Sequence, residues 1–141
     1  MKLVMKIIFL DHYGVMCLSD FFVDRLISPL PSFNELVNHK PFDDFDKSSV
    51  SVLNEIILKT DADIVITSDW AKDDISFDRL VNFYISQGVI KKPISYIKLK
   101  YSSNIAKDRS IGVLKWMSDS KEVIDSWVCI DDINLCLDNF V

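Results

Sequence analysis

Four apolar runs recur along the chain; each predicts a β-strand, and three of these strands are predicted to be buried. The runs are nearly continuous rather than alternating, which is typical of strands covered on both faces in a parallel sheet. Three runs end abruptly in polar residues: the first at Asp11, the second at Thr67 and Ser68, and the last at Asp131 and Asp132. The predicted strands span residues 4–10, 63–67, 94–99 and 126–130.

Amphipathic stretches between these runs predict three helices. The first begins at a capping residue, Ser48 or Ser49, because a serine hydroxyl accepts hydrogen bonds from the first free amides of a helix. The second ends at Gly88, since glycine suits the C-cap of a helix. Strands that alternate with helices predict an α/β fold with a mostly parallel sheet and right-handed crossovers. The helices are predicted to run from the serine cap to about Lys59, over 75–87 and over 104–118, where Ile105, Ile111 and Leu114 are apolar.

Residues 17–46 interrupt the alternation of strands and helices. Three prolines punctuate this stretch, and the acidic run PFDDFD closes it. We expect a loop with short helical pieces near 20–27 and 33–38. The stretch is therefore interpreted as a small insertion, or cap, within a single domain of residues 1–141.

The composition is that of an ordinary globular protein. The 141 residues suffice for one domain with one core, and the net charge of −5 argues against a general nucleic-acid-coating surface. Three cysteines without C-x-x-C spacing favour a reducing, cytoplasmic location over a thiolate metal site. No apolar run is long enough to span a bilayer, and the N-terminal run is not typical of a signal peptide.

The polar residues at the strand ends predict a site. In a parallel sheet the carboxyl ends of the strands lie at one edge, so Asp11, Asp131 and Asp132 are expected to meet there. Clustered carboxylates repel one another unless a cation binds between them. Hard oxygen ligands without nearby histidine or cysteine favour Mg²⁺.

Four motifs together resemble those of the haloacid-dehalogenase-like (HAD) hydrolase superfamily. They are similar in spacing to its compact, minimally capped branch, found in RNA-repair and phage phosphatase proteins. The resemblance covers nearly the whole chain and implies a three-layer α/β/α, Rossmann-like fold. The motifs read DHYGV (11–15), IVITSDW (64–70), KDRSIGVLKWM (107–117) and WVCIDD (127–132).

The resemblance implies a phosphatase mechanism. Asp11 would be the nucleophile that attacks phosphorus and forms an aspartyl-phosphate. Thr67 and the backbone N–H of Ser68 would hold phosphate oxygens. A basic residue, Arg109 or its rival Lys107, would neutralise the phosphate and the charge of Asp11.

The resemblance also implies the cofactor and the substrate side of the site. Asp131 and Asp132 would hold Mg²⁺ together with Asp11 and the backbone carbonyl of Tyr13. Trp70, after the Thr67 loop, would line the substrate mouth, with simple packing as the alternative. The expected substrate is a small phosphomonoester or a nucleic-acid end, and no membrane partner is expected.

Tyr13 departs from the phosphatase pattern, in which this position carries a second Asp as general acid and base. A phenol with a pKa near 10 cannot act as a base at neutral pH as a carboxylate does. We therefore expect a slow phosphatase, or alternatively an inactive phosphate- or partner-binding protein. A dehalogenase is a further alternative because those enzymes carry an Asp-x-Tyr-Gly turn. Two features argue against a dehalogenase. Those enzymes have a large cap, for which residues 17–46 are too short, and they lack the full acid pair, which is intact here as Asp131 and Asp132.

Overall fold

The computed structural model describes residues 4–12, 14–17, 44–68, 75–98, 104–133 and 135. Most of the predicted insertion at 17–46, including both of its helical pieces, lies outside the described residues. Tyr13 and Trp70 lie outside them as well. The elements that carry the remaining predicted site residues are all described.

Four parallel strands form one sheet in the order β3-β2-β1-β4 within the described part of the chain. The prediction of a parallel α/β fold is confirmed, and β1 has the bounds that the apolar run gave. The fourth strand begins at Val123, earlier than predicted. Its first positions are mostly exposed and include polar residues, so the apolar run did not reveal them. The strands are β1 Val4–Leu10, β2 Asp63–Ile66, β3 Ser95–Tyr96 and β4 Val123–Ile130.

Three helices connect the described strands, and their caps differ from two predictions. The first helix is capped by Asp46, whose carboxylate accepts the N–H of Ser49 at 3.2 Å, so neither Ser48 nor Ser49 is the cap. The second helix has Gln87 rather than Gly88 as its C-cap, and Gly88 follows with φ +88°. Glycine thus takes the left-handed position just beyond the cap. The helices are α1 Lys47–Thr60, α2 Phe77–Ser86 and α3 Ile105–Asp119.

The helices cover the sheet on both faces and give a three-layer structure. Alternate residues of β1 point to opposite faces, so Ile8 and Leu10 join the core under α1 and α2. Ile7 and Phe9 join the core under α3. The inner side of α3 is less apolar than the sequence indicated, since Ile105 and Ile111 are exposed. Its buried residues are Arg109, Ser110 and Val113.

The chain reverses its path across the sheet between β1 and β4. From β1 it passes through α1 to β2 and through α2 to β3, and α3 then carries it back to β4 on the other side of β1. Such a reversal opens a crevice at the carboxyl ends of the two strands that flank it, β1 and β4, where open α/β sheets bind ligands. Asp11 directly follows β1, and Asp131 directly follows β4. Within the described residues, no helix combines the length and apolarity that crossing a bilayer requires.

Candidate functional site

The loop after β1 is a tight turn that fixes Asp11 at the crevice. The Asp11 N–H donates to the carbonyl of Ile130 at 3.0 Å, which extends the β1–β4 ladder to Asp11. Behind it, the carbonyl of His12 accepts the N–H groups of Val15, Met16 and Cys17 at 3.1, 2.8 and 2.9 Å. Asp11 is only 2% exposed, so its carboxylate is held in a defined, nearly dry position.

Gly14 allows this turn to pack against the acid pair. Its φ of +81° lies in the left-handed region that side chains disfavour. A Cβ at this position would also lie 2.5 Å from Oδ2 of Asp132. Backbone conformation and close approach therefore both require glycine here.

Three carboxylates meet at the crevice, as the strand ends predicted. Asp11, Asp131 and Asp132 each offer an oxygen, and these oxygens lie within 4.8 Å of one another. The set consists of hard oxygen donors that could coordinate one small divalent cation, and this chemistry fits Mg²⁺. Asp132 is exposed, so the cluster opens towards solvent on one side.

Arg109 is the basic residue that the fold brings to these acids. Its Nη1 lies 2.8 and 2.9 Å from the two carboxylate oxygens of Asp131 and 3.3 Å from Oδ2 of Asp11. The guanidinium is buried with them, and its side chain is only 4% exposed. Lys107, the rival, is exposed two residues earlier on α3. Residues two apart on a helix point in nearly opposite directions, so only one of the two can face the crevice.

Burial disfavours the negative charge of these acids. It raises the pKa of Asp11 to about 7, and repulsion from Asp131 acts in the same direction, against the opposing effect of Arg109. Burial also raises the pKa of Asp131, although the N–H of Ile133 and Arg109 favour its ionised form. One arginine therefore leaves the cluster short of positive charge, which a bound cation would supply.

Thr67 and Ser68 lie next to Asp11 at the end of β2. The Thr67 N–H donates to the carbonyl of Leu10 at 2.9 Å, so the two strand ends are directly joined. Both side chains are buried, with 2% and 0% exposure. The predicted positions of Tyr13 and Trp70 lie outside the described residues, and their roles stay predictions.

The sequence interpretation missed a buried pair behind Asp11. His12 Nε2 lies 2.5 Å from the hydroxyl of Tyr84 on α2, and both side chains are fully buried. Burial lowers the pKa of His12 to about 3 and raises that of Tyr84 well above its usual value, so both side chains are neutral. The signal in the sequence was an inward-facing tyrosine on α2, whose hydroxyl needs a partner.

Comparison with known protein families gives a match over almost the whole chain. The sequence model of a family described as the HAD domain in Swiss Army Knife RNA repair proteins matches residues 7–140. No curated protein and no solved structure matches the chain. The matched range contains each of the site residues described above.

Proposed function

The chain belongs to the family of HAD domains in Swiss Army Knife RNA repair proteins, and on that premise we propose that it is a Mg²⁺-dependent hydrolase of phosphomonoesters. The observation that carries the proposal is the meeting of Asp11, Asp131 and Asp132 at one crevice, with Arg109 bridging two of them. Three acids and one buried arginine suit a site that binds a cation together with a phosphate.

In the proposed reaction Asp11 is the nucleophile. One of its carboxylate oxygens forms a bond to phosphorus while the bond between phosphorus and the leaving oxygen breaks, which gives an acyl phosphate on Asp11. Water then attacks the same phosphorus, the bond to Asp11 breaks, and inorganic phosphate leaves with the carboxylate restored. A bound Mg²⁺ would neutralise charge on the phosphoryl oxygens and keep Asp11 ionised.

The remaining residues of the crevice are assigned to phosphate binding. Thr67 offers a hydroxyl and Ser68 a backbone N–H beside Asp11, at the end of the neighbouring strand. Arg109 would neutralise the charge that builds up on the phosphoryl oxygens during transfer. The proposal also keeps the backbone carbonyl of Tyr13 as a cation ligand and Trp70 at the substrate mouth.

Tyr13 limits the proposed activity. The leaving oxygen needs a proton, and the attacking water needs a base, and a phenol is a poor substitute for a carboxylate in both tasks. General acid–base catalysis contributes roughly 10²–10⁴-fold, so the chain is proposed to act slowly on substrates with poor leaving groups. Positioning and charge neutralisation by the other residues remain available.

The proposed substrates are phosphorylated nucleotides or nucleic-acid ends, acted on in the cytoplasm. The support is the family description, which places related domains in RNA repair proteins. The net charge of −5 supports recognition of an end rather than of a long stretch of nucleic acid. We further propose that residues 1–141 form one domain with residues 17–46 as a small cap.

A second candidate function is phosphate or partner binding without catalysis. Two observations favour it: Tyr13 replaces the usual acid in the sequence, and Arg109 engages both carboxylate oxygens of Asp131. Such a protein would keep the crevice and its ligands but would not turn over a phosphoester.

Hydrolysis of an aryl phosphate tests the proposal. The good leaving group makes nucleophilic attack measurable with little acid assistance. We would compare the wild type with Tyr13→Asp and use Asp11→Asn as the blank, each with and without Mg²⁺. The proposal expects Mg²⁺-dependent turnover above the blank and faster turnover by Tyr13→Asp. If neither turns over but both bind Mg²⁺ or a phosphate analogue, the binding function replaces it. If neither turns over nor binds, the site assignment is wrong.

A further inference from the structure

The backbone of His12 makes most of the hydrogen bonds that hold the turn next to Asp11. Its own N–H favours the ionised carboxylate of Asp11 through a hydrogen bond. Its carbonyl accepts three N–H groups, those of Val15, Met16 and Cys17. A rotation of the His12 backbone would therefore shift the Asp11 carboxylate and the rest of the turn together.

The side chain of His12 connects this turn to α2. The Nε2 atom lies 2.5 Å from the Tyr84 hydroxyl across 72 residues of sequence. Phe45 packs on both rings, with centroids 5.4 Å from His12 and 5.1 Å from Tyr84. The Phe45 N–H donates to Oε1 of Gln87 at 2.7 Å, so Phe45 is itself tied to the end of α2. The turn is thereby connected to a helix on the face opposite α3.

We infer that the hydrogen-bonded pair of His12 and Tyr84 is a positioning device, which fixes the turn so that the Asp11 carboxylate points into the crevice. The inference rests on the proposed function, because it names how the nucleophile of that reaction is aimed. Neither residue is a catalytic residue, since both side chains are fully buried behind the turn and cannot touch a substrate. The pair acts through Asp11 alone.

The geometry favours a positioning role over packing alone. An apolar residue at position 12 would fill the same volume under α2 without needing a partner. A histidine and a tyrosine instead impose one direction on the bond between them, because a hydrogen bond weakens steeply as its angle departs from linearity. A buried polar bond of this kind specifies one arrangement, and loss of either partner leaves the other unsatisfied.

The first arm of the test is kinetic and uses the full chain. Tyr84→Phe removes one hydroxyl and keeps the ring, and Tyr96→Phe is the matched control on the half-buried tyrosine of β3. We expect Tyr84→Phe to lower kcat for an aryl phosphate about tenfold, because the turn then aims the Asp11 carboxylate less well and even a misplacement of about 1 Å can cost on the order of a hundredfold. Its KM should stay within about twofold of the wild-type value, since the phosphate ligands are untouched. The control should leave both parameters unchanged.

A conservative variant separates positioning from packing. His12→Gln keeps a polar group that can hydrogen-bond to the Tyr84 hydroxyl, whereas His12→Leu keeps only volume. Positioning predicts a kcat closer to that of the wild type for His12→Gln than for His12→Leu. Equal kcat values for these two variants, or a Tyr84→Phe kcat equal to that of the Tyr96→Phe control, would overturn the inference.

The second arm does not depend on catalysis. We expect the amide protons of Met16 and Cys17, which bond to the His12 carbonyl, to exchange about tenfold faster in Tyr84→Phe than in Tyr96→Phe. If the wild type lacks activity but this difference appears, the proposed function fails and the positioning of the turn stands. If exchange is the same in both variants, the pair does not hold the turn, whatever the activity.

Discussion

Arg109 Nη1 contacts both carboxylate oxygens of Asp131, at 2.8 and 2.9 Å, although the two residues belong to different elements. Arg109 comes from the first turns of α3, and Asp131 follows β4. The same Nη1 also reaches Oδ2 of Asp11 at 3.3 Å. One guanidinium thus connects the helix to the ends of β1 and β4 and balances part of the buried negative charge there.

Replacing Arg109 therefore should remove activity, whereas replacing Lys107 should not. Arg109→Gln leaves Asp11 and Asp131 without their buried counter-charge and removes the proposed phosphate ligand. We expect at least about a hundredfold loss in kcat/KM towards an aryl phosphate, the scale reported for loss of one preorganised charge-stabilising donor. Lys107→Gln, on the exposed side of the same helix, is the matched control and should stay within about twofold. A larger loss in Lys107→Gln than in Arg109→Gln would contradict the placement of the basic residue.

The stability of the cation-free protein should fall as the pH rises from the acid range towards 7. The pKa of Asp11 is about 7 in the folded chain against an ordinary 3.8, so the folded state binds this proton more tightly than the unfolded state. The stabilisation that this tighter proton binding gives the folded state is fully present below the ordinary pKa and is lost as the pH rises towards 7. The pKa of Asp131 is also raised, so its effect on stability changes with pH in the same direction.

Asp11→Asn isolates this effect, because an amide does not ionise. In the presence of a chelator, we expect the melting temperature of Asp11→Asn to exceed that of the wild type by more at pH 8 than at pH 5. Comparing the two proteins at each pH cancels the titration of the other groups. A difference that is constant between pH 5 and pH 8 would mean that Asp11 keeps an ordinary pKa.

Much of the fold could be predicted because burial leaves a local signal. Strand β1 is covered on both faces, and its apolar run gave its bounds correctly. Strand β4 pairs with β1 from Val123 onwards, around a bulge that places Asp125 out of register. Polar residues at its exposed positions hid this extension, because strand pairing needs no apolar side chain there.

The meeting of the three acids could be predicted because it depends on strand ends, whereas contacts that depend on packing could not. Asp11, Asp131 and Asp132 each follow a buried strand, so topology alone brings them together. The choice between Arg109 and Lys107 depends on which side of α3 faces the sheet, and the exposed isoleucines of that helix gave a misleading indication. The contact between His12 and Tyr84 joins residues 72 positions apart, and the inward-facing tyrosine alone does not indicate which residue is its partner.

A side chain at position 14 should disable the site. Gly14→Ala adds a Cβ that would lie 2.5 Å from Oδ2 of Asp132, at a φ of +81°. The turn or Asp132 must move, and a shift of about 1 Å at such a site can cost on the order of a hundredfold in rate. We expect that loss in kcat. Gly88→Ala serves as the control for positive φ, since a Cβ there meets open space apart from Val50 at 4.0 Å. If both variants lose stability equally but Gly14→Ala keeps its kcat, the close approach to Asp132 is not functional.

Mg²⁺ should stabilise the chain through the acid cluster. A ligand that binds only the folded state adds RT ln(1 + [L]/Kd), or about 2.7 kcal/mol at a hundred times Kd. We expect Mg²⁺ to raise the melting temperature of the wild type, and more at pH 8 than at pH 5, because cation binding competes with the proton on Asp11. Asp132→Asn removes one exposed ligand of the cluster and should reduce the shift strongly. Asp125→Asn, at an exposed position of β4 away from the crevice, controls for the loss of one negative charge and should keep the full shift. Equal shifts in the two variants would mean that Mg²⁺ stabilises the chain by general screening rather than by binding between Asp11, Asp131 and Asp132.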